Sequence, residues 1–138
     1  MKVLGIDYGE ARCGISVSDP LGITAQPLTT ISEKDFSKQI EKIIEIAKEQ
    51  NVSEIVVGLP KNMNGTLGER AEKSMEVAKI LEEKTGIKTI LWDERLSSAS
   101  AHRALEEGLV SGKKRKGLVD KIASSIILQS YLDSKKMY

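Results

Sequence analysis

The hydrophobic period of this chain changes at Ser32, and that change limits it to folds in which helices are laid on a sheet built largely from the first residues. Val3–Asp7 and residues 13–19 are short runs rich in Val and Ile. They are separated by Tyr8-Gly9-Glu10-Ala11-Arg12, and read as two strands joined by a hairpin-like turn. A third extended stretch near residues 23–31 is broken by Pro27, which cannot donate to a ladder and so marks an edge strand or its end. Beyond Ser32, the residues Phe36, Ile40, Ile43, Ile44 and Ala47 recur at i, i+4, i+7, i+8 and i+11, one face of an amphipathic helix. Ser32 or Asp35 supplies its cap.

Further along, residues 54–58 read as a buried strand and 59–65 as a loop. Residues 67–85 read as a helix capped by Thr66 and stopped by Gly86, and 87–92 as a strand. Residues 97–107 suggest a short helix ended by Gly108. Leu118, Ile122 and Ile126 place a last helix over 118–131. The order β-β-β-α-β-α-β-α-α predicts an α/β fold: a five-stranded mixed sheet, a three-strand antiparallel meander plus parallel strands, flanked by helices. One domain spanning residues 1–138 accommodates it, since 138 residues with 40% hydrophobic and 30% charged content supply a single core. The same composition excludes disordered and low-complexity chains.

Composition also narrows the partners. Aromatics make up 4% of the chain, too few for a base-stacking platform, so contact with nucleic acid would run mainly through backbone phosphates. The net charge is +1, but it is unevenly spread. Residues 1–60 hold 6 basic and 9 acidic side chains, residues 61–138 hold 15 and 11, and the latter include the run Lys113-Lys114-Arg115-Lys116. A polyanion can be gripped locally by such a segment, although runs of this kind are ordinarily mobile surface. The single Cys13 and single His102 exclude an internal disulfide and a structural zinc site. The N-terminus meets Asp7 too early for a signal or membrane segment. The expectation is a cytoplasmic protein with no membrane association.

Acidic residues carry the chemical signal. In open α/β sheets, function collects at the carboxyl ends of strands. Asp7 ends the first predicted strand, Asp93-Glu94 end the last, and Asp120 opens the predicted final helix. Each alone has an ordinary explanation as a cap or a dipole partner. Gathered together they would repel, and the usual compensation is a divalent cation with a preference for hard oxygen ligands, Mg²⁺ or Mn²⁺. Paired ions of this kind hydrolyse phosphodiesters. Adjacent strand residues point to opposite faces, so only one of Asp93 and Glu94 joins easily, and Glu94 is the choice.

These residues resemble the YqgF-type members of the RuvC-like group, described as Holliday-junction resolvases and as nucleases maturing the precursor of small-subunit ribosomal RNA. The resemblance spans nearly the whole chain. It rests on Asp7-Tyr8-Gly9 with Arg12, Gly14 and Asp19; on Gly58-Leu59-Pro60 with Met63, Gly65 and Arg70; on Asp93-Glu94-Arg95-Leu96; and on Lys116 with Asp120, Ala123 and the run from Ile126 to Leu132. It implies a ribonuclease H-like fold and metal-dependent cleavage of pre-16S rRNA or branched DNA, with Asp7, Glu94 and Asp120 as catalytic metal ligands. Ser97-Ser98 stand where the family usually shows threonines, and Ser124 replaces the second of two alanines.

Six residues are candidates for holding the substrate. Arg12, between Gly9 and Gly14, can pair bidentately with phosphate or neutralise Asp7 or Asp19. Lys61 and Asn62 lie in a loop suited to a sugar-phosphate backbone, or to an ordinary turn, and Arg70 belongs to the same motif. Arg95 can clamp substrate or pair with Asp93. Lys116, four residues before Asp120, reaches the acidic centre if the helix extends back that far. Cys13 reads as core rather than nucleophile, and His102 as a surface or half-buried residue. Symmetric cutting of a junction would require a homodimer. Two other classes compete: a non-catalytic nucleic-acid or ribosome-associated binding module, and an ATP-using relative suggested by Asp-x-Gly-x-x-Arg after a strand. For the latter, the chain is too short for the duplicated sugar-kinase architecture.

Overall fold

The computed structural model describes residues 1–62, 64–97 and 113–135, with the backbone alone for 113–116. It contains β1 (Val3–Asp7), β2 (Arg12–Ser18), β3 (Ala25–Ser32), α1 (Phe36–Gln50), β4 (Glu54–Leu59), α2 (Glu69–Thr85), β5 (Lys88–Asp93), a 3₁₀ turn (Glu94–Leu96) and α3 (Lys113–Ser134). The helix expected over 97–107 and His102 fall outside the described residues, apart from Ser97, which is extended rather than helical. The strands form one sheet in the order β3-β2-β1-β4-β5. β1, β2 and β3 pair antiparallel, while β4 and β5 run parallel to β1 and to each other. This is the mixed sheet that the period change requires.

Pro27 sits within β3 rather than ending it, opposite Ser16 and beside an irregularity at Ile15/Ser16. A missing N–H is tolerated there because β3 is an edge strand. Asp35, not Ser32, caps α1, its side chain accepting from the Lys38 N–H. Helix α2 starts two residues later than expected, at Glu69, with Gly68 as its N-cap and no side-chain cap. Thr66 is diverted into the preceding loop, where its backbone N–H and hydroxyl donate to Asn64 and its hydroxyl accepts from Asn62 Nδ2. Gly86 ends α2 in the left-handed region, at φ 72°. Helix α3 is longer than expected at both ends. Lys and Arg are good helix formers, so the basic run is the helix's first turn rather than a loose segment, and Asp120 lies seven residues inside the helix instead of opening it.

Strand alternation sorts the two faces. Leu4, Ile6, Cys13, Ile15, Val17, Ile55 and Val57 point to one side, where they pack with Ile40, Ile43 and Ala47 of α1 and Val77, Ala78 and Leu81 of α2. Val3 and Val56 point to the other and meet Leu128, Tyr131 and Leu132 of α3. Ser16 and Ser124 hydrogen-bond across this second interface at 2.9 Å, both fully buried, which gives the serine at the usual alanine position a partner. At the far end from the β1 terminus, Tyr131 donates to buried Glu54 and Lys135 pairs with the same carboxylate, fastening the end of α3 to the start of β4.

Candidate active site

Asp7 is the last residue of β1 and is 6% exposed. It is paired with Gly14 of β2. On its other side, the β1–β4 register, which sets Ile6 against Val57, continues to place Asp7 beside Gly58, each neighbour one strand spacing, about 4.8 Å, away. All three positions face α3, and the two flanking residues lack a Cβ. At Gly14 that space is filled by the helix backbone: a Cβ there would stand 2.0 Å from the Asp120 carbonyl oxygen. At Gly58 it is filled by Glu94, whose Cγ and Cδ lie 3.2 and 3.4 Å from where a Cβ would be. Residues from β1, the 3₁₀ turn after β5 and the middle of α3 are thereby brought to one face at one end of the sheet, with Glu94 6% exposed.

Asp93 and Glu94 part company where the strand ends. Asp93 caps the 3₁₀ turn by accepting from the Arg95 N–H at 2.9 Å. The Arg95 guanidinium also wraps its carboxylate, with Nη2 at 2.8 Å from Oδ2 and Nε at 3.2 Å from each oxygen. Lys61 approaches the same carboxylate at 3.6 Å. Arg95 and Lys61 are therefore engaged by Asp93, and Asn62 is engaged by the turn around Thr66. Arg95 foremost, then its backbone N–H and Lys61, hold the Asp93 carboxyl below the usual carboxylate range. A depressed folded-state value stabilises the fold above about pH 4 and ceases to do so as pH falls through that value. Asp93→Asn is expected to lower the thermal midpoint at pH 7 by a few degrees, about 1 kcal/mol or less for a pair this close to solvent. Midpoints measured down to pH 2.5 should converge with the parent; a constant gap would show that the charge is not responsible.

Arg12 opens β2, and its Nε donates to Asp120 Oδ2 at 2.8 Å, with the two side chains 37% and 16% exposed. It pairs with neither Asp7 nor Asp19 among the described residues; Asp19 instead accepts from the backbone N–H groups of Leu21, Ile23 and Thr24. Arg70 is exposed and lines a cleft of about 220 Å³ with Tyr8, Gly9, Glu10, Glu69 and Lys73, next to the end of β1. The backbone of α3 extends back past Lys116, the condition for that residue to stand one turn before Asp120. Its side chain, like Met63, is outside the described residues. Burial first, together with the negative charges of Asp7 and Asp120, pushes the Cys13 thiol up to about 11. That leaves no thiolate near neutrality for nucleophilic work.

One residue at the site has no place in the sequence reading. Gln39, fully buried on α1, directs its amide nitrogen at the carbonyls of Gly9, Glu10 and Glu33 and accepts from the Tyr8 hydroxyl at 2.9 Å. It ties down the turn between Asp7 and Arg12. The available signal was a polar residue on the apolar stripe of α1, three positions after Phe36, since a buried amide is retained only where its hydrogen bonds are met.

Three carboxylates offer the hard oxygen donors that Mg²⁺ or Mn²⁺ prefers; the spaces at Gly14 and Gly58 admit the backbone of Asp120 and the side chain of Glu94 to the face on which Asp7 lies. In donor type the residues fit such an ion. Among the described residues, however, no three His, Cys, Asp or Glu side chains are drawn together closely enough to hold one, and one oxygen of Asp120 is committed to Arg12.

Residues 1–134 match the family described as RuvX: Holliday junction resolvase. The chain belongs to the RuvX family. A Clostridium botulinum relative (strain Eklund 17B) named "Putative pre-16S rRNA nuclease" is 50% identical over 133 residues, covering 96% of this chain and 97% of that one. A Listeria innocua relative with the same name is 48% identical over 136 residues, covering 97% and 99%. Among solved structures, Thermus thermophilus RuvC in complex with a Holliday junction substrate aligns at TM-score 0.59 with 13% identity, over 98% of this chain and 96% of that one. The fowlpox virus Holliday junction resolvase aligns at 0.56 with 12% identity, over 97% and 99%. The chain thus has the ribonuclease H-like fold, as its sequence motifs led one to expect.

Proposed function

We propose that this RuvX-family protein is a metal-dependent endonuclease that hydrolyses phosphodiester bonds in structured nucleic acid, either at the ends of pre-16S rRNA or at Holliday junctions. The observation that carries the reading is the arrival of Asp7, Glu94 and Asp120, from three separate elements, on one face around Gly14 and Gly58. Family membership and the names of the relatives support it. Asp7, Glu94 and Asp120 are the residues that would hold Mg²⁺ or Mn²⁺. Bound there, such ions supply Lewis-acid activation of water and stabilise the leaving oxygen.

The protein's own part is to bind and orient the strand. Arg12 ends the turn that follows Asp7 and Arg70 lines the cleft beside that turn; both would take phosphates flanking the scissile bond, and Lys116 is the further candidate from α3. Lys61, Asn62 and Arg95 shape the loop that borders Glu94, so their contribution to substrate is through that loop and its surface. Among the described residues no helix is long and apolar enough to cross a membrane, and a cytoplasmic location suits a protein that acts on ribosomal RNA. Symmetric resolution of a four-way junction would use a two-fold homodimer, whereas trimming of an RNA end would not.

Incubation of the purified protein with an end-labelled four-way DNA junction and with a pre-16S rRNA fragment is the direct test. Discrete products are expected with Mg²⁺ or Mn²⁺ on one of the two, and none in EDTA. A second reading, a non-catalytic binding module, draws on the pairing of Asp120 with Arg12 and on the lack, among the described residues, of a gathered acidic cluster. Salt-dependent retention of both nucleic acids with no product in either metal would favour it.

A further inference from the structure

We infer that Arg12 couples metal loading to substrate binding: it holds Asp120 while the site is free of nucleic acid, and releases it when a phosphate takes its place. The inference rests on the metal-dependent reading above and assigns Arg12 a role beyond phosphate contact.

The contact is fixed from both sides. Gly14, two residues after Arg12 and so on the same face of β2, lies against the backbone of Asp120, which brings the Arg12 side chain to the Asp120 carboxylate and gives the 2.8 Å Nε–Oδ2 contact. Carboxylates near one another without a cation repel, and the guanidinium supplies positive charge to one of them. One oxygen of Asp120 is thus held by Arg12, and no three acidic side chains among the described residues are gathered for an ion. A guanidinium carries five N–H donors in a planar fork, and among the described residues a single one, Nε, has an acceptor. The fork matches a phosphate as well as a carboxylate. A backbone phosphate arriving beside the turn would therefore exchange for Asp120 on Arg12 and free a hard oxygen ligand. Because coupling of this kind is reciprocal, metal would tighten nucleic-acid binding by the same factor by which nucleic acid tightens metal binding.

Calorimetric titration of Mn²⁺ into the full chain, with no nucleic acid present, tests the competition between Arg12 and metal for Asp120 on which the coupling depends, without recourse to activity. Arg12→Gln removes the competing cation and is expected to bind Mn²⁺ about tenfold more tightly than the parent, the worth of one charge-assisted hydrogen bond. Arg12→Lys, which keeps the charge but loses the planar fork, should fall between them and serves if Arg12→Gln does not fold. In an Asp120→Asn background the Arg12→Gln gain should vanish. Equal or weaker Mn²⁺ binding by Arg12→Gln overturns the coupling, as does a gain that survives in the Asp120→Asn background. Failure of the underlying reading looks different: no saturable Mn²⁺ binding by the parent or by any Arg12 variant.

Discussion

Asp7→Asn is expected to reduce phosphodiester cleavage by at least about 10³-fold, because the several kcal/mol of charge stabilisation that bound metal provides depends on each ligand charge. The amide has nearly the volume of the carboxylate, and Asp7 is in contact with two glycine-bearing strands rather than with a crowded apolar core. The thermal midpoint should accordingly stay within about 3 °C of the parent, under 1 kcal/mol. Binding of nucleic acid measured without metal should match the parent, since the phosphate contacts assigned to Arg12 and Arg70 are untouched. A variant that folds, binds and cuts at the parental rate would remove Asp7 from the catalytic centre.

The second large effect is steric and comes from one methyl group. Gly14→Ala would set a Cβ 2.0 Å from the Asp120 carbonyl oxygen, 2.4 Å from its carbon and 3.0 Å from the Lys121 nitrogen. All three are backbone atoms of α3, so no side chain can turn aside to make room. β2 lies inside the sheet, between β3 and β1, so the helix must move by about 1 Å or more. Overpacking of this severity costs about 3 kcal/mol, or roughly 10 °C in midpoint for a chain of this size. Displacing Asp120 by about 1 Å should lower cleavage a further 10²-fold. Gly58→Ala provides the contrast. Its nearest neighbours are the Ile127 Cδ1 at 3.0 Å and the Glu94 side chain, which can yield, so it should disturb activity more than stability. If Gly14→Ala melts and cuts like the parent, α3 does not rest on β2 as described.

Much of this architecture could be read before any coordinates. Period-two runs followed by helical spacing led to the five-stranded mixed sheet, and Pro27 marked β3 as an edge strand. Element ends were less legible because they are decided by competing local hydrogen bonds. Thr66 was available as a cap for α2 but is held by Asn62 and Asn64. Asp120 was placed at the opening of the last helix, yet it is an interior residue whose role follows from the helix face it occupies. Gln39 went unseen because its partners, Gly9, Glu10 and Glu33, are carbonyls far from it in sequence or supplied by turns.

Sequence alone determined the family, the order of strands and helices among the described residues, and which acidic residues were worth comparing, since these follow from residue type and spacing. Only the folded chain decided how those acids are used. Which of Asp93 and Glu94 turns inward depends on where β5 ends and on the grip of Arg95 and Lys61 upon Asp93. Whether Arg12 faces Asp7, Asp19 or Asp120 depends on the close seating of α3 against Gly14. Pairings between groups more than a hundred residues apart are set by the packing of whole elements, and no local pattern encodes them.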